Sequence, residues 1–171
     1  MEKGYVHVYT GNGKGKTTAA LGLSVRAVCA GKKVFFGQFV KGLDYSELEC
    51  VNFLPNLEIK QFGRGCFIYE EPTTEDIAAA KKGLDRFKEI LSQGEYDIVV
   101  MDELSIALYY KLFSVEEVID IIKNRKENIE VIITGRYAPD EIIEIADLVT
   151  EMKEVKHYYT KNVEARKGIE F

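Results

Sequence analysis

Residues 5–22 have the sequence YVHVYTGNGKGKTTAALG, and this stretch decides the fold. Val6, Val8 and their β-rich neighbours predict a strand, while the alanines and leucine after Thr17 predict a helix that ends near Gly31. The loop between them carries glycine at positions 11, 13 and 15. A strand, a glycine-rich loop and a helix in this order form the context that a phosphate-binding loop requires.

The loop from Thr10 to Thr18 has the chemistry needed to bind a polyphosphate. Glycine permits backbone dihedrals that a Cβ would forbid, so successive N–H groups can point at phosphate oxygens. The following helix adds the positive end of its dipole. We expect Lys16 to reach the phosphates and the Thr17 hydroxyl to hold Mg²⁺. The predicted nucleotide contacts in this loop are Gly11, Asn12, Gly13, Lys14, Gly15, Lys16, Thr17 and Thr18.

The loop departs from the usual G-x-x-x-x-G-K-[ST] pattern at its first position, which is Thr10 instead of glycine. We therefore expect the phosphates to be seated differently from those in an ordinary ATPase. A flexible glycine turn is the alternative interpretation. It is disfavoured because three alternating glycines followed by Lys-Thr rarely coincide by chance.

A second part of a nucleotide site lies at residues 97–103, where an apolar strand ends in Asp102 and Glu103. Carboxyl ends of parallel strands meet at one edge of a sheet, so both carboxylates are expected beside the phosphate loop. There they can ligate Mg²⁺ directly or through water. A third strand, residues 131–134, leads to Arg136 at the same edge. Arg136 is a predicted ATP contact, with a surface or structural role as the open alternative.

Strands and helices alternate along the whole chain. Further strands are predicted at 33–40, 57–62, 96–101, 130–134 and 148–152, and helices at 17–30, 72–93, 114–125 and 139–146. Without repeats, low-complexity segments or linkers, residues 1–171 are predicted to form a single domain. The predicted fold is an open, doubly wound, mostly parallel α/β sheet with helices on both faces, the RecA-like P-loop NTPase fold.

Composition and charge limit the classes of protein to which the chain can belong. With 171 residues, 46% of them hydrophobic, it fits one soluble globular domain. Its net charge of −5 gives no electrostatic footprint for nucleic acid or anionic lipid. No stretch approaches the roughly 18 apolar residues of a membrane span. The early phosphate loop leaves no room for a signal peptide, and three cysteines without a CxxC pair predict a reducing, cytoplasmic location.

Five blocks of the sequence resemble the ATP:corrinoid adenosyltransferases, also called cob(I)alamin adenosyltransferases. They are residues 8–20 around the loop, QFVKG at 38–42, VMDEL at 100–104, VIITGR at 131–136, and the tail with VKH at 155–157 and GIEF at 168–171. The blocks span nearly the whole chain in the family's order. The threonine at position 10 is itself a trait of this family, so the unusual loop supports the resemblance.

The resemblance implies a reaction and its substrates. A Co(I) corrinoid, cobalamin or a cobinamide precursor, attacks the 5′ carbon of ATP, which the family binds in an inverted sense, and expels inorganic triphosphate. Because the reduced cobalt is the nucleophile, the protein positions the substrates and neutralises the departing anion. The resemblance also implies a homodimer and a transient reductase partner. The predicted catalytic residues are Lys16 and Glu103, and the predicted Mg²⁺ ligands are Thr17, Asp102 and Glu103.

On the corrinoid side the sequence departs from the family. Its members often carry an aromatic pair spaced as Gly-Phe-x-Trp, which keeps the lower face of the cobalt free of a ligand. Counted from Gly65, these positions are Cys66 and Ile68 here, and the neighbouring aromatic residues are out of step. A structural role for His157 is the open alternative to a substrate contact. The predicted corrinoid contacts are Phe67, Ile68, Tyr69 and His157.

Two other functions are compatible with the phosphate loop. The first is an ordinary P-loop ATPase or small-molecule kinase with Glu103 as general base, which leaves Thr10 and the tail unexplained. The second is a non-catalytic nucleotide-gated regulator or nucleic-acid-binding oligomer. The acidic net charge and the lack of a basic aromatic stripe count against it.

Overall fold

The computed structural model describes residues 2–65 and 71–171. Within these ranges six strands form one sheet in the order β3-β2-β4-β5-β1-β6, and every neighbouring pair is parallel. The predicted parallel α/β sheet is therefore confirmed. The strands are β1 Val6–Thr10, β2 Val34–Gln38, β3 Leu57–Gln61, β4 Ile98–Asp102, β5 Glu130–Thr134 and β6 Leu148–Glu151.

The helices connect these strands and begin at recognisable capping residues in two cases. Thr73 and Asp76 form a capping box at one helix, and Ser114 and Glu117 form another. Among the described helices, none combines the length and the apolar character needed to cross a membrane. The α-helices are α1 Lys16–Cys29, α2 Thr74–Gln93, α3 Leu104–Tyr109, α4 Val115–Lys123 and α5 Asp140–Ile145, and 3-10 helices span Ser46–Asn52 and Tyr158–Lys161.

Helix α3 has no counterpart among the elements predicted from the sequence. It follows β4 directly, and the residue between them, Glu103, has a left-handed backbone with φ 57. No side chain caps this helix, so the usual start signal is absent from the sequence. Burial of Leu104, Ala107 and Leu108 against the sheet stabilises it instead.

Apolar side chains on successive strand residues pack into two separate layers. Phe35 contacts Phe87 of α2 with ring centroids 5.5 Å apart, whereas Phe36 belongs to the layer under α1. Helices α2 to α5 cover one face, and α1 with the Ser46–Asn52 segment covers the other. The predicted placement of helices on both faces is confirmed.

The sheet order brings the ends of four strands to one edge. Strand β5 lies between β1 and β4, and β2 lies on the other side of β4. Because all strands are parallel, the segments that follow β1, β2, β4 and β5 emerge together at their carboxyl ends. These segments carry the phosphate loop, Lys41, Glu103 and Arg136, which build the site.

Candidate active site

The phosphate loop joins β1 to α1 and packs closely against the segment after β6. Gly11 and Gly15 have φ values of 94 and 121, which glycine adopts without steric cost. A Cβ on Gly11 would lie 2.5 Å from the Met152 carbonyl oxygen. The Gly13 N–H donates to that same carbonyl at 2.6 Å. The backbone N–H of Gly13, which was expected to face a phosphate, is therefore hydrogen-bonded to another part of the protein.

Lys16, in the first turn of α1, folds its side chain into the phosphate loop. Its Nζ donates to the carbonyl oxygens of Gly11 at 2.8 Å and Gly13 at 2.7 Å. Burial lowers the pKa of Lys16, while the nearby Glu103 carboxyl acts in the opposite direction. A charged phosphate oxygen binds an ammonium group more strongly than a neutral carbonyl does. A phosphate bound in the loop can therefore replace these two carbonyl oxygens as the acceptor of hydrogen bonds from Lys16.

Asp102, the last residue of β4, is fully buried and joins three segments of the site. Its Oδ1 accepts hydrogen bonds from Thr17 Oγ1 at 2.8 Å and Thr134 Oγ1 at 2.6 Å. Its Oδ2 accepts from Gln38 Nε2 at 3.1 Å and Lys41 Nζ at 2.9 Å. All four acceptor positions of this carboxylate are engaged by the protein. Asp102 therefore fixes the positions of Thr17 and Lys41 more directly than it offers oxygen atoms to a metal.

Glu103 follows Asp102, and three cations lie close enough to influence its carboxyl. Burial and the adjacent Asp102 carboxylate raise the pKa of Glu103, while Lys41, Lys16 and Arg136 act to lower it. Its backbone N–H donates to Thr134 Oγ1 at 3.0 Å, which helps to hold the left-handed turn. A carboxyl in this environment can keep a proton at higher pH than usual, or bind a cation once ionised.

We predict that Glu103→Gln stabilises the protein at pH 8. Folding raises the pKa of Glu103, so the folded state binds the carboxyl proton more tightly than the unfolded state does. The wild type therefore loses stability as pH rises from the unfolded-state pKa to the higher folded-state pKa. The amide cannot ionise, so we expect Glu103→Gln to have the higher free energy of unfolding at pH 8. Urea unfolding in EDTA buffer measures it. Equal stabilities at pH 8 would contradict this account, whereas near-equality below the ordinary glutamate pKa of about 4.3 is expected.

Two cavities meet at this edge of the sheet. The first has a volume of 620 Å³ and is lined by loop residues 13–18, the start of the Ser46–Asn52 helix and the C-terminal residues 168–171. The second has a volume of 520 Å³, and its wall includes Val40, Ile106 and three tyrosines. A third cavity, of 440 Å³, lies at the opposite edge of the sheet. Four charged residues line both of the first two cavities, and we call them the charged partition: Lys16, Lys41, Glu103 and Arg136.

Lys14 belongs to the phosphate loop, but its ammonium group contacts the C-terminal residues. Its Nζ donates to Tyr158 Oη at 3.0 Å, the Ile169 carbonyl at 2.9 Å and Glu170 Oε1 at 2.6 Å. Glu170 also accepts hydrogen bonds from the Tyr158 hydroxyl and from the Arg166 N–H. Hydrogen bonds from Lys14 and Tyr158 lower the pKa of Glu170. Lys14, which was predicted to contact phosphate, is thus hydrogen-bonded to the C-terminal residues instead.

Most of the predicted site residues line the first cavity. Gly13 to Thr18, Glu103 and Arg136 line the first cavity, while Gly11 and Asn12 are not part of its wall. His157 also lines this first cavity, and its Nδ1 accepts a hydrogen bond from the Tyr159 N–H at 3.1 Å. The other predicted corrinoid contacts, Phe67, Ile68 and Tyr69, lie outside the described residues.

Several residues of the site carry no role in the sequence-based prediction. Gln38 is the last residue of β2, the neighbour of β4, and Lys41 lies three residues beyond it, so polar residues at the end of that strand are a usable signal. Tyr109 and Tyr137 lie on segments far apart in sequence, and their rings meet with centroids 4.6 Å apart. No pattern along the chain predicts that contact, because it depends on how α3 and the loop after β5 pack together.

The sheet, the phosphate loop and the acidic end of β4 together define a P-loop nucleotide-binding protein of the RecA-like fold. A similar fold occurs in the flagellar accessory protein FlaH of Methanocaldococcus jannaschii, with a TM-score of 0.62 and 14% sequence identity. The match covers 88% of this chain and 72% of that one. At this identity the similarity concerns the fold alone, and it confirms the predicted fold class.

A family model described as ATP:corrinoid adenosyltransferase BtuR/CobO/CobP matches residues 2–171. The corrinoid adenosyltransferase of Escherichia coli is 37% identical, over 99% of this chain and 87% of that protein. The enzyme of Salmonella typhimurium is 38% identical with the same coverage, and that of a Sinorhizobium species is 35% identical over 99% of this chain and 81% of its own length. The chain belongs to the ATP:corrinoid adenosyltransferase family, which confirms the resemblance predicted from the sequence.

Proposed function

We propose that this enzyme transfers the 5′-deoxyadenosyl group of ATP to the Co(I) centre of a corrinoid and releases inorganic triphosphate. The observation that carries the proposal is the charged partition, which lines both the cavity at the phosphate loop and the tyrosine-lined cavity. Cobalt and the 5′ carbon must come within bonding distance, so the two substrate sites have to adjoin. We assign ATP to the first cavity and the corrinoid to the second.

The reaction needs no nucleophile from the protein. An electron pair of Co(I) forms the cobalt–carbon bond, and cobalt is formally oxidised to Co(III). The bond between the 5′ carbon and the α-phosphate oxygen breaks, and its electron pair leaves with triphosphate. Negative charge therefore builds up on the leaving group, where Lys16, Arg136 and the positive end of α1 neutralise it. Glu103 faces these cations and helps to orient them.

We propose Mg²⁺ as a partner of the triphosphate at Thr17 and Glu103. The Thr17 hydroxyl donates its hydrogen bond to Asp102, which leaves the lone pairs of the hydroxyl oxygen free to bind a cation. Asp102 would then act through Thr17 or through water, since its acceptor positions are engaged. Within the described ranges no cluster of three or more His, Cys, Asp or Glu could hold a metal by itself. That suits an ion held mainly by phosphates and water, which would neutralise the leaving group.

The corrinoid side of the proposal rests on the tyrosines of the second cavity. Tyr109 and Tyr137 are more than half exposed, and their rings are tilted by 32° at a centroid distance of 4.6 Å. Tyr137 has φ 59, a left-handed conformation that is costly for a residue with a large side chain. Such strain at a site wall is typical of functional positions. A broad, partly exposed aromatic surface is suited to a large planar ligand.

We predict that Tyr137→Gly raises the KM for the reduced corrinoid about 10-fold and changes the KM for ATP less than 2-fold. Glycine removes the ring but relieves the left-handed backbone, so the free energy of unfolding should change by less than about 1 kcal/mol. Steady-state kinetics with each substrate varied in turn separates the two KM values. Tyr159→Gly, which removes an exposed tyrosine outside the second cavity, is the control. Equal effects on both KM values would contradict the assignment.

The proposal also includes a single domain over residues 1–171, a homodimer, a cytoplasmic location and a transient reductase partner. The free thiols of Cys29 and Cys50 support a reducing compartment. The homodimer and the reductase rest on the family. Light scattering on the purified protein tests the dimer, since a monomer mass would contradict it.

The main rival is a P-loop ATPase or kinase that uses Glu103 as general base. It predicts release of phosphate or transfer of a phosphoryl group, and it gives no role to the second cavity. Incubation with ATP, Mg²⁺ and chemically reduced cobalamin distinguishes the two. A light-sensitive cobalt–carbon product supports the proposal, and phosphate or pyrophosphate without any adenosylated corrinoid contradicts it.

A further inference from the structure

The C-terminal residues 157–171, which we call the flap, are tied to the phosphate loop through Lys14. An ammonium group has three hydrogens to donate, and Lys14 gives them to Tyr158, Ile169 and Glu170. All three acceptors belong to the flap. In this arrangement Lys14 has no hydrogen left for a phosphate, although its backbone lies in the wall of the first cavity.

Little of the flap's surface is buried. None of its residues is fully buried, and Tyr159 is 76% exposed. Beyond Lys14, a hydrogen bond from Ser46 Oγ to the Phe171 carbonyl at 2.9 Å ties its far end to the wall of the same cavity. A segment with little buried surface opens at low free-energy cost. The flap can therefore move while the sheet keeps its structure.

Glu170 does not depend on Lys14 for its hydrogen bonds. The Arg166 N–H donates to Glu170 Oε2 at 2.8 Å, the Arg166 guanidinium lies 3.4 Å from the same oxygen, and the Tyr158 hydroxyl bonds to Oε1. If Lys14 turns away, this carboxylate keeps charged and neutral donors and is not left unpaired. The ion pair between Lys14 and Glu170 is also partly exposed, which weakens it.

A triphosphate in the first cavity competes directly for Lys14. It would enter between Lys14, Lys16 and Arg136, which all line this cavity. A polyanion with several charges attracts an ammonium group more strongly than one partly exposed carboxylate does. The contacts of Lys14 are thus the ones that a bound nucleotide can replace at least cost.

We propose that the polyphosphate of ATP displaces Glu170 from Lys14, so that the flap opens as the nucleotide binds. Lys14 is then a positioning residue with two alternative partners, the flap and the triphosphate. The inference rests on the proposed function only in naming ATP as the source of the polyphosphate. Inorganic tripolyphosphate carries the same charges without the nucleoside, so it serves as the probe.

Flap opening can be measured with one fluorescent residue, because the chain contains no tryptophan. Phe171→Trp places the reporter in the wall of the first cavity, at a position that is 39% exposed. We expect tripolyphosphate to raise the acrylamide quenching constant about 2-fold. Tyr5→Trp, at the opposite edge of the sheet, is the control and should not respond. Unchanged or lower quenching at Phe171→Trp would overturn the inference, because the flap then stays closed or closes further.

Removing the charge of Glu170 and removing the charge of Lys14 should change the affinity for tripolyphosphate in opposite directions. Glu170→Gln removes the competitor, so tripolyphosphate should bind about 5-fold more tightly, whereas Lys14→Gln should weaken binding about 10-fold. Glu164→Gln and Lys167→Gln remove the same charges from exposed positions of the flap and correct for general electrostatics. Titration calorimetry gives the Kd values of the wild type and of the four variants. A loss of affinity in both Glu170→Gln and Lys14→Gln, or no binding to the wild type, would overturn the inference.

These measurements do not depend on adenosyl transfer. If the wild type adenosylates a corrinoid but Glu170→Gln weakens tripolyphosphate binding, the flap inference fails and the proposed function stands. If the affinities change in opposite directions but no adenosylated corrinoid forms, the proposed function fails and the flap inference stands.

Discussion

Lys16→Met is expected to lower the kcat of adenosyl transfer at least 100-fold. Methionine keeps most of the length and apolar volume of lysine but cannot neutralise the charge that develops on the leaving triphosphate. Removing one preorganised donor from such a charge typically costs about 100- to 1,000-fold in kcat. Lys16 is 8% exposed and bonded to two loop carbonyls, so water cannot easily replace its ammonium group. Rapid-mixing measurement of cobalt–carbon bond formation gives the rate.

A lysine outside the site provides the control for this change. Lys88→Met replaces an exposed lysine on α2 and should leave kcat within 2-fold of the wild type. Circular dichroism and thermal unfolding of both variants show whether the fold is retained. A folded Lys16→Met variant with near-normal kcat would contradict the role assigned to this residue.

Asp102→Ala is expected to lower the free energy of unfolding by about 3–5 kcal/mol. The change removes a fully buried carboxylate and leaves donors on Thr17, Thr134, Gln38 and Lys41 without their acceptor. Removal of one member of a buried, hydrogen-bonded charge pair typically costs this much. Among the described residues, the ion pair that Lys41 keeps is a 3.7 Å contact with Glu47. Urea unfolding measures the loss, and adenosyl transfer should fall with it because Thr17 is no longer held.

A double substitution tests the cause of that loss. Lys41→Met added to Asp102→Ala removes the unpaired cation, so the double variant should be more stable than Asp102→Ala alone by at least about 1 kcal/mol. Lys41→Met alone should destabilise the protein, since it leaves the Asp102 carboxylate without its charged partner. Strictly additive effects of the two substitutions would show that the pair is not coupled. Additive effects would therefore contradict the role assigned to Asp102 in holding the site together.

Much of the fold can be predicted from periodicity and turn chemistry. The strand at 130–134 agrees with its predicted bounds, and α2 ends at Gln93 as predicted, because apolar runs and capping residues mark these elements locally. Helix α3 cannot be predicted this way, since it begins on the left-handed Glu103 without a cap. Its stability comes from burial against the sheet, which no local pattern records.

The site is only partly predictable for the same reason. The phosphate loop and the acidic end of β4 come from local motifs, so the sequence indicates them directly. The contacts of Lys14 with the flap join residues more than 140 positions apart, and the partition depends on the sheet order. Long-range contacts of this kind follow from packing. The net charge of −5 likewise says little about the ligand, because Lys16, Lys41 and Arg136 gather positive charge at one edge.

The central claim, adenosyl transfer with a triphosphate leaving group, is tested most directly by the ratio of its two products. The wild type is incubated with ATP, Mg²⁺ and chemically reduced cobalamin under anaerobic conditions. Light-sensitive adenosylcobalamin is measured by absorbance, and inorganic triphosphate by ion chromatography. We expect one triphosphate for each cobalt–carbon bond, with neither product formed when the corrinoid is left oxidised. Phosphate or pyrophosphate as the primary product, or ATP consumption without adenosylcobalamin, would contradict it.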